Sequence, residues 1–309
     1  MWPKAQGALV TVVNALPAYA PPAIYPLQPF RKGVSMSTGT TTYSVDNGVA
    51  VIELVNPPFN VVSLPLTASL DEHLNAAATD PEVRVLVVTG AGDRAFCAGS
   101  DISEFDTFMQ PGRVVEGKLR PQNATFSKLE QLPKPTIAAL NGLAFGGGLE
   151  IAMCCDLIVA DESVKVALPE TRLGVFPSSG GPVRLARRIG PGPAKRMIFT
   201  AEPISARTGS EIGLIDELVP DGTARAAALK LAVTIAAGPA LGLAAAKDLI
   251  DRSHNRSWDS LKEDSFSWSD AAFSSADCAE GVRAFRAKER PVFAGTSIPA
   301  VAAAAGELA

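Results

Sequence analysis

Histidine is scarce in this sequence, with only His73 and His254 among 309 residues. Both lie in segments that the residue pattern predicts as polar helix or helix end. A histidine-based catalytic triad and a histidine-rich zinc site are therefore not expected. Any acid–base chemistry has to come from carboxylates, lysine or tyrosine.

Cysteine is also rare, and its spacing fits no metal or redox motif. The four residues are Cys97, Cys154, Cys155 and Cys278, and they contain no CxxC pair. Cys154 and Cys155 are adjacent within an apolar run. This pattern is typical of reduced, mostly buried thiols in a cytosolic protein, and it gives no reason to expect a bound metal.

The sequence has neither a strong excess of one charge nor a long apolar run. The formal net charge is −4, and both signs are spread along the chain without a basic stripe. This distribution argues against nucleic acid as the main partner. No apolar segment approaches the roughly 20 residues that a membrane-spanning helix needs. We expect a cytoplasmic globular protein that acts on a small molecule, with neither nucleic acid nor a membrane as its partner.

The first 36 residues differ in composition from the rest, since they are rich in proline and alanine and nearly free of charge. Lys4, an apolar stretch and an Ala-Tyr-Ala sequence resemble a secretory signal peptide. However, the apolar stretch is interrupted, and Pro21 would follow the cleavage site. We therefore predict that 1–36 is a disordered extension, or that the assigned start lies upstream of a true start at Met36.

The rest of the chain alternates strands with helices. Thr42–Val45 and Val49–Val55 flank Asn47-Gly48, which predicts a hairpin. Further strands are predicted in "VRVLVVTG", "KPTIAAL", "DLIVA" and "KVALPE", and from Ser179 onward the chain is predicted to be mostly helical, with three last helices. This order is typical of an α/β core with parallel strands, whose active-site loops lie at the carboxyl ends of strands.

Two glycine-rich segments meet this expectation. "AGDRAFCAGSD" follows the strand Val83–Thr89 and "NGLAFGGG" follows Thr136–Leu140, and both are predicted to be loops that lead into helices. Glycine allows close backbone approach, and a helix N-terminus offers free N–H groups. Two such loops that converge could form an oxyanion hole. A phosphate loop is the alternative, but neither GxxxxGK[ST] nor GxGxxG occurs, and Glu150 would repel a phosphate.

Glu150 and Glu170 are acids in unusual places. Glu150 falls in the first turn of a short apolar helix. There it could be an acid that the helix dipole stabilises, or it could take part in catalysis. Glu170 follows a strand and precedes another glycine-rich helix start; it could be an exposed loop acid, a partner of Arg172, or catalytic. Two glutamates beside an oxyanion hole would suit proton transfer next to a carbonyl.

Four motifs resemble the enoyl-CoA hydratase/isomerase, or crotonase, superfamily, and are most similar to its enoyl-CoA hydratases. They are "AFCAGSDISEF" (Ala95–Phe105), "NGLAFGGGLEIAMCCD" (Asn141–Asp156), "PETRLGVFPSSGG" (Pro169–Gly181) and "AEGVRAFRAKERPVF" (Ala279–Phe293). Their order and spacing match the superfamily over roughly residues 40–293. One motif would be weak support, whereas four in sequence are specific.

The resemblance implies a fold and an assembly. The expected fold is α/β, with a crotonase-like core of repeated β-β-α units over 37–235. A C-terminal helical oligomerisation region would follow over 236–295, and a flexible tail over 296–309. The expected assembly is a homotrimer or a dimer of trimers.

The resemblance also implies a substrate and a site. Coenzyme A thioesters would be the substrates, in fatty acid metabolism, and neither a cofactor nor a metal is expected. The backbone N–H groups of Ser100 and Gly147 would hold the thioester oxygen, and the Ser100 side chain is interpreted as incidental. The implied substrate-binding residues are Ala98 (near the adenine), Ser100, Asp101, Ile102, Ser103 and Gly147.

The two glutamates favour one subfamily. In enoyl-CoA hydratases one acid lies two positions after the glycine triplet and a second lies twenty residues later, and Glu150 and Glu170 occupy those positions. One would deprotonate a water that adds to C3, and the other would handle the proton at C2. An enoyl-CoA isomerase and an acyl-CoA thioester hydrolase remain alternatives, as does a non-catalytic RNA-binding member, which the acidic net charge disfavours. The segments 56–62 and 109–131 leave the acyl preference open.

Overall fold

The structure, a computed structural model, describes residues 39–295. The predicted extension over 1–36 and the predicted tail over 296–309 lie outside the described residues. Within the described range the chain forms ten strands, in two sheets. They are β1 Thr40–Asp46, β2 Val49–Val55, β3 Val85–Gly90, β4 Ala95–Cys97, β5 Thr136–Leu140, β6 Leu143–Phe145, β7 Leu157–Asp161, β8 Lys165–Ala167, β9 Ile204–Ser205 and β10 Glu217–Val219.

Ten α-helices lie in the same range. They are α1 Leu64–Thr79, α2 Arg120–Glu130, α3 Gly147–Met153, α4 Gly181–Ile189, α5 Pro191–Thr200, α6 Ala206–Glu211, α7 Ala224–Ala236, α8 Ala240–Ser253, α9 Trp258–Phe273 and α10 Ala276–Ala287. Two 3₁₀ helices (Ile102–Thr107 and Glu170–Leu173) and a π-helical turn (Val115–Leu119) occur as well.

The larger sheet has the strand order β1-β2-β3-β5-β7-β10. Strands β1 and β2 form the predicted antiparallel hairpin, whose turn residues Asn47 and Gly48 both have positive φ. All other neighbours in this sheet are parallel. The predicted α/β class with parallel strands is therefore confirmed.

The smaller sheet, with the order β4-β6-β8-β9, corrects the predicted loops. Ala95–Cys97 and Leu143–Phe145 were assigned to loops, but they are strands that pair in parallel with each other. Strand β10 likewise lies in a region predicted to be mostly helical. Each of these strands has only three residues, which is too short for a period of two to be recognised.

The chain repeats a β-β-α pattern. The repeats β3-β4-α2, β5-β6-α3 and β7-β8-α4 each place their first strand in the larger sheet and their second in the smaller one. Parallel strands need such crossovers, because a tight turn cannot join them. As a result, the loops after β4, β6 and β8 come from three successive repeats and emerge beside one another.

The larger sheet is covered on both faces. Leu86 and Val88 of β3 belong to the main core, with the apolar side of α1 and the smaller sheet. Val85 and Val87 face the opposite way, towards α7. Burial on both faces explains the continuous apolar run of this strand.

Pro121 does not interrupt the helical structure in which it lies. Helical structure continues from the π-helical turn Val115–Leu119 directly into α2, and Pro121 lies in the first turn of α2. Proline has no N–H to donate, and the first turn of an α-helix is where that loss is tolerated.

The predicted three last helices are present as α8, α9 and α10. Arg84 links them to the core, because its Nη2 donates to the carbonyl of Gly238 at 2.7 Å. Lys247 of α8 also forms an ion pair with Asp156 at 2.8 Å. Within the described part of the chain, no single helix is long and apolar enough to cross a membrane; α7 and α8 pass that test only as a pair, bent by 111°.

Candidate active site

Three of the predicted site residues follow three neighbouring strands of the smaller sheet. Ser100 follows β4, Gly147 follows β6 and Glu170 follows β8. Because these strands are parallel, their carboxyl ends lie at the same edge of the sheet. The glycine-rich loops therefore begin after β4 and β6, and not directly after the larger-sheet strands β3 and β5 as the sequence suggested.

A bridge to Val62 fixes the direction of the Ser100 backbone. The Val62 N–H donates to the carbonyl of Gly99 at 2.8 Å, and the Asp101 N–H donates to the carbonyl of Val62 at 2.9 Å. In a parallel bridge of this kind, the central residue turns its own N–H to the opposite side. The N–H of Ser100 therefore points away from Val62, and it has no backbone acceptor within residues 39–295.

Gly147 brings a second free donor to the same place. It is the first residue of α3, so its N–H has no partner within the helix. A Cβ atom at Gly147 would lie 3.7 Å from the Ser100 nitrogen and 3.6 Å from the Ser100 Oγ. The two backbones thus run side by side, as an oxyanion hole requires.

The flanking glycines make this close approach possible. A Cβ atom at Gly148 would lie 2.1 Å from the carbonyl oxygen of Cys97, so only glycine lets α3 pack against the end of β4. Gly146 has a φ of +51°, which glycine adopts readily. Its N–H donates to the carbonyl of Ala167 at 2.9 Å and joins this turn to β8.

Glu150 is buried, with 2% of its surface exposed. Its Oε1 accepts two backbone hydrogen bonds, from the N–H of Ser179 at 2.8 Å and from the N–H of Gly181 at 2.9 Å. Burial raises the pKa of Glu150 to about 7, although these two bonds and the charge of Arg184 act in the opposite direction. The carboxylate is therefore held in place by one oxygen and is poised to exchange a proton near neutral pH.

Glu170 is the second acid with a raised pKa. It begins the 3₁₀ helix after β8, and burial raises its pKa to about 7, with a smaller contribution from the charge of Glu150. Its Oε2 is buried and has no hydrogen-bond partner among residues 39–295. A Cβ atom at Gly146 would lie 2.8 Å from its Oε1, so this carboxyl lies against the glycine triplet. An unpaired buried carboxyl oxygen at this place suggests a group that needs a partner from the substrate side.

The other predicted substrate-binding residues lie on the same loop. The N–H of Ala98 donates to the carbonyl of Phe59 at 2.9 Å. Asp101 caps the 3₁₀ helix and accepts from both the N–H and the hydroxyl of Ser103, at 2.9 and 2.6 Å. These two side chains therefore hold the loop together, whereas Ile102 is 56% exposed and available for contact.

The structure adds residues that the sequence did not single out. Gln122 of α2 and Arg184 of α4 both hydrogen-bond to Ser179, which in turn holds Glu150. Ser179 had been recognised only as part of a helix start. Nothing in the sequence pairs residues that lie 57 positions apart, so Gln122 could not have been found without the fold.

Side chains that bind metals are not clustered in the described part of the chain. Within residues 39–295, no group of three or more His, Cys, Asp or Glu side chains is placed to hold a metal ion. The four cysteines are free thiols, and all except Cys278 are buried. Burial raises the pKa of Cys97 and of Cys155 to about 12, which keeps both protonated and unreactive.

Comparisons with known proteins point to one family. A sequence model described as enoyl-CoA hydratase/isomerase matches residues 44–296. A probable enoyl-CoA hydratase of Bacillus subtilis is 36% identical over 259 residues, which cover 82% of this chain and 97% of the relative. The glyoxysomal fatty acid beta-oxidation multifunctional protein MFP-a of Brassica napus is 40% identical over 205 residues, but the match spans only 28% of its length.

Solved structures give the same result. The crystal structure of an enoyl-CoA hydratase from Bacillus anthracis has a TM-score of 0.77 at 33% identity, and the match covers 83% of this chain and 98% of that one. By sequence and by fold, the chain belongs to the enoyl-CoA hydratase/isomerase family.

Proposed function

We propose that this enzyme adds water reversibly to a trans-2-enoyl-CoA and forms a 3-hydroxyacyl-CoA. The observation that carries the proposal is the pairing of the buried Glu150 and the half-buried Glu170, both with a raised pKa, with two backbone N–H groups that have no acceptor within residues 39–295, all at one sheet edge. The family match and the relatives named as enoyl-CoA hydratases support the predicted class of enzyme. The fatty acid beta-oxidation named for the Brassica protein makes a fatty acyl chain the proposed acyl group.

The backbone donors of Ser100 and Gly147 would hold the thioester carbonyl oxygen. When water adds at C3, negative charge spreads onto this oxygen as an enolate-like species. Two N–H groups that are already in place stabilise that charge without having to reorganise. Residues 98–103 would line the path of the coenzyme A thioester, with Ala98 near the adenine, and no further cofactor is needed.

Glu150 and Glu170 would carry the protons. Since both pKa values lie at about 7, one carboxyl can be ionised while the other is protonated at neutral pH. The ionised carboxyl takes the proton of the water that adds to C3, and the protonated one delivers its proton to C2. Interacting acids of this kind titrate as a coupled pair, so the two roles belong to the pair.

The activity can be tested with crotonyl-CoA and longer enoyl-CoA substrates, by following the loss of absorbance of the conjugated thioester. Glu150→Gln and Glu170→Gln should each lower kcat by roughly 10²–10⁴-fold, the usual contribution of a general acid or base. Glu82→Gln, an exposed glutamate in the turn between α1 and β3, is the matched control and should retain full activity.

Mass spectrometry of the products separates hydration from the alternative reactions. Hydration adds the mass of one water and keeps coenzyme A attached, isomerisation changes no mass, and thioester hydrolysis releases coenzyme A. Full activity in both glutamine variants would contradict the two-carboxylate mechanism.

A further inference from the structure

Ser179 lies at the centre of a buried hydrogen-bond cluster, outside the groups that would touch the substrate. Its N–H donates to Glu150 Oε1 at 2.8 Å, and its carbonyl accepts from Arg184 Nη1 at 2.7 Å. Its hydroxyl accepts from Gln122 Nε2, also at 2.7 Å. Ser179 is 1% exposed and Gln122 is 3% exposed. All three polar groups of Ser179 are thus held away from solvent.

Helix α2 reaches this cluster at two points. Gln122 contacts Ser179 directly, whereas Glu130 accepts from Arg184 Nη2 at 2.7 Å and so acts through the arginine. Gly180 leaves room for that arginine, because a Cβ atom at Gly180 would lie only 2.0 Å from Arg184 Nη1. The 179–181 turn, which holds Glu150, is therefore hydrogen-bonded to α2 directly and through Arg184, and these contacts restrain its movement.

Packing alone does not account for a glutamine at position 122. Its Oε1 is buried and finds no hydrogen-bond partner in the part of the chain that the structure describes. An unpaired buried acceptor costs free energy, while an apolar side chain of similar volume would fill the same space without that cost. The bond that Gln122 does make, to Ser179, is the contribution that such a side chain could not replace.

We propose that Gln122 is a positioning residue for the carboxylate of Glu150, an inference that rests on the proposed function. Gln122 fixes Ser179, and the N–H groups of Ser179 and Gly181 fix Glu150 Oε1. Helix α2 thereby sets where the carboxylate points and how well its ionised form is stabilised.

The Gln122→Met variant tests this role, since methionine has a similar volume and no polar amide. With Ser179 less well held, its N–H bond to Glu150 weakens, and the ionised carboxylate loses stabilisation. The pKa of Glu150 should therefore rise, by roughly half a pH unit or more. The kcat for crotonyl-CoA should fall roughly ten- to a hundredfold through misplacement of the carboxylate. KM should change little, because Gln122 is not placed to touch the substrate.

The charged and titratable groups that act on Glu150 stay the same in this variant. They are Arg184 on α4, Glu170 after β8 and Cys154 just after the end of α3, and Glu130 acts behind Arg184. A shifted titration of Glu150 in Gln122→Met would therefore report the loosened turn and not a lost charge.

Thr125→Val is the matched control. Thr125 lies on the same helix at 3% exposure, but its hydroxyl bonds to Asp71 at 3.3 Å and not to the Ser179 turn. This variant should keep the wild-type kcat and the wild-type pKa of Glu150. If Gln122→Met does not fold, Ser179→Ala removes the other partner of the same bond and carries the same expectations.

Two readouts keep this inference separate from the proposed function. Carbon-13 NMR titration of the Glu150 carboxyl, assigned with Glu150→Gln, needs no substrate; an unshifted pKa in Gln122→Met would overturn the positioning role. If the wild-type enzyme has no hydratase activity but the pKa of Glu150 is higher in Gln122→Met than in the wild type, the hydratase proposal is contradicted and the positioning role stands. If the pH–rate profile of Gln122→Met is the same as that of the wild type, the inference is also overturned.

Discussion

At the scale of single residues, the three adjacent glycines have different tasks. Gly148 is required for packing, because a side chain there would collide with the backbone of Cys97. Gly146 provides the backbone turn with its positive φ. Gly147 is different, since a Cβ atom there would meet no atom closer than 3.4 Å, from Val62. It would nevertheless occupy the space between the two proposed oxyanion donors.

We therefore expect Gly147→Ala to fold but to lose activity. The methyl group fits sterically, so the melting temperature should change little. The thioester oxygen would be displaced from the two N–H groups, and kcat should fall by about 10²–10³-fold, as for the loss of an oxyanion donor. Gly192→Ala, in the first turn of α5 with no atom within 4 Å, is the control and should be fully active. An active Gly147→Ala enzyme would remove Gly147 from the mechanism.

At the scale of elements, α7 shows how small residues set the distance between a helix and a sheet. Its buried residues are alanines spaced four apart: Ala224, Ala228, Ala232 and Ala236. They lie against the valines of β3 and the neighbouring strands. Residues four apart share one face of a helix, so this alanine face lets α7 approach the sheet closely.

Enlarging this face should destabilise the protein without touching the site. Ala228→Leu would overpack the contact with β3 and should lower the free energy of unfolding by about 1–3 kcal/mol. Ala226→Leu, on the exposed side of the same helix, should stay within about 0.5 kcal/mol of the wild type. Urea unfolding of the two variants measures this difference, and equal midpoints would contradict the packing role of the alanine face.

At the scale of the whole molecule, α9, α10 and the segment after α10 carry apolar side chains that the described residues leave uncovered. Phe273 is 81% exposed, Phe285 is 86% exposed and Val292 is 77% exposed. Large apolar groups in one region of a surface mark an interaction site more often than scattered ones do. We propose that this region joins copies of the chain into the homotrimer, or dimer of trimers, expected from the resemblance.

Light scattering after size exclusion tests this assembly. The mass should be three or six times the 32.1 kDa of one chain. Phe285→Asp should shift the protein towards smaller species, because burying a charge in an apolar contact is costly. Ala226→Asp, on an exposed face of α7 outside the C-terminal helices, should leave the mass unchanged. A wild-type protein that elutes as a 32.1 kDa monomer would contradict the proposal.

Much of the architecture was predictable because its signals are local. The Asn47-Gly48 hairpin and the buried strands β3, β5 and β7 follow from turn chemistry and from runs of apolar residues. In the smaller sheet β8 was predicted, but β4 and β6 were not, because they are three residues long and look like parts of glycine-rich loops. The resemblance placed Glu150 and Glu170, whereas spacing alone left each of them between a structural and a catalytic role.

The sequence by itself determined the class of fold, the family and which two glutamates are the candidate acids. These depend on residue types and spacings within continuous motifs. Only the tertiary structure decided that Ser179 and Gly181 hold Glu150, that the Ser100 nitrogen lies beside Gly147, and that Gln122 hydrogen-bonds to Ser179. These contacts join residues far apart in the chain, and burial then raises the pKa of both acids. Burial and convergence belong to the packed molecule, so no local pattern could have predicted them.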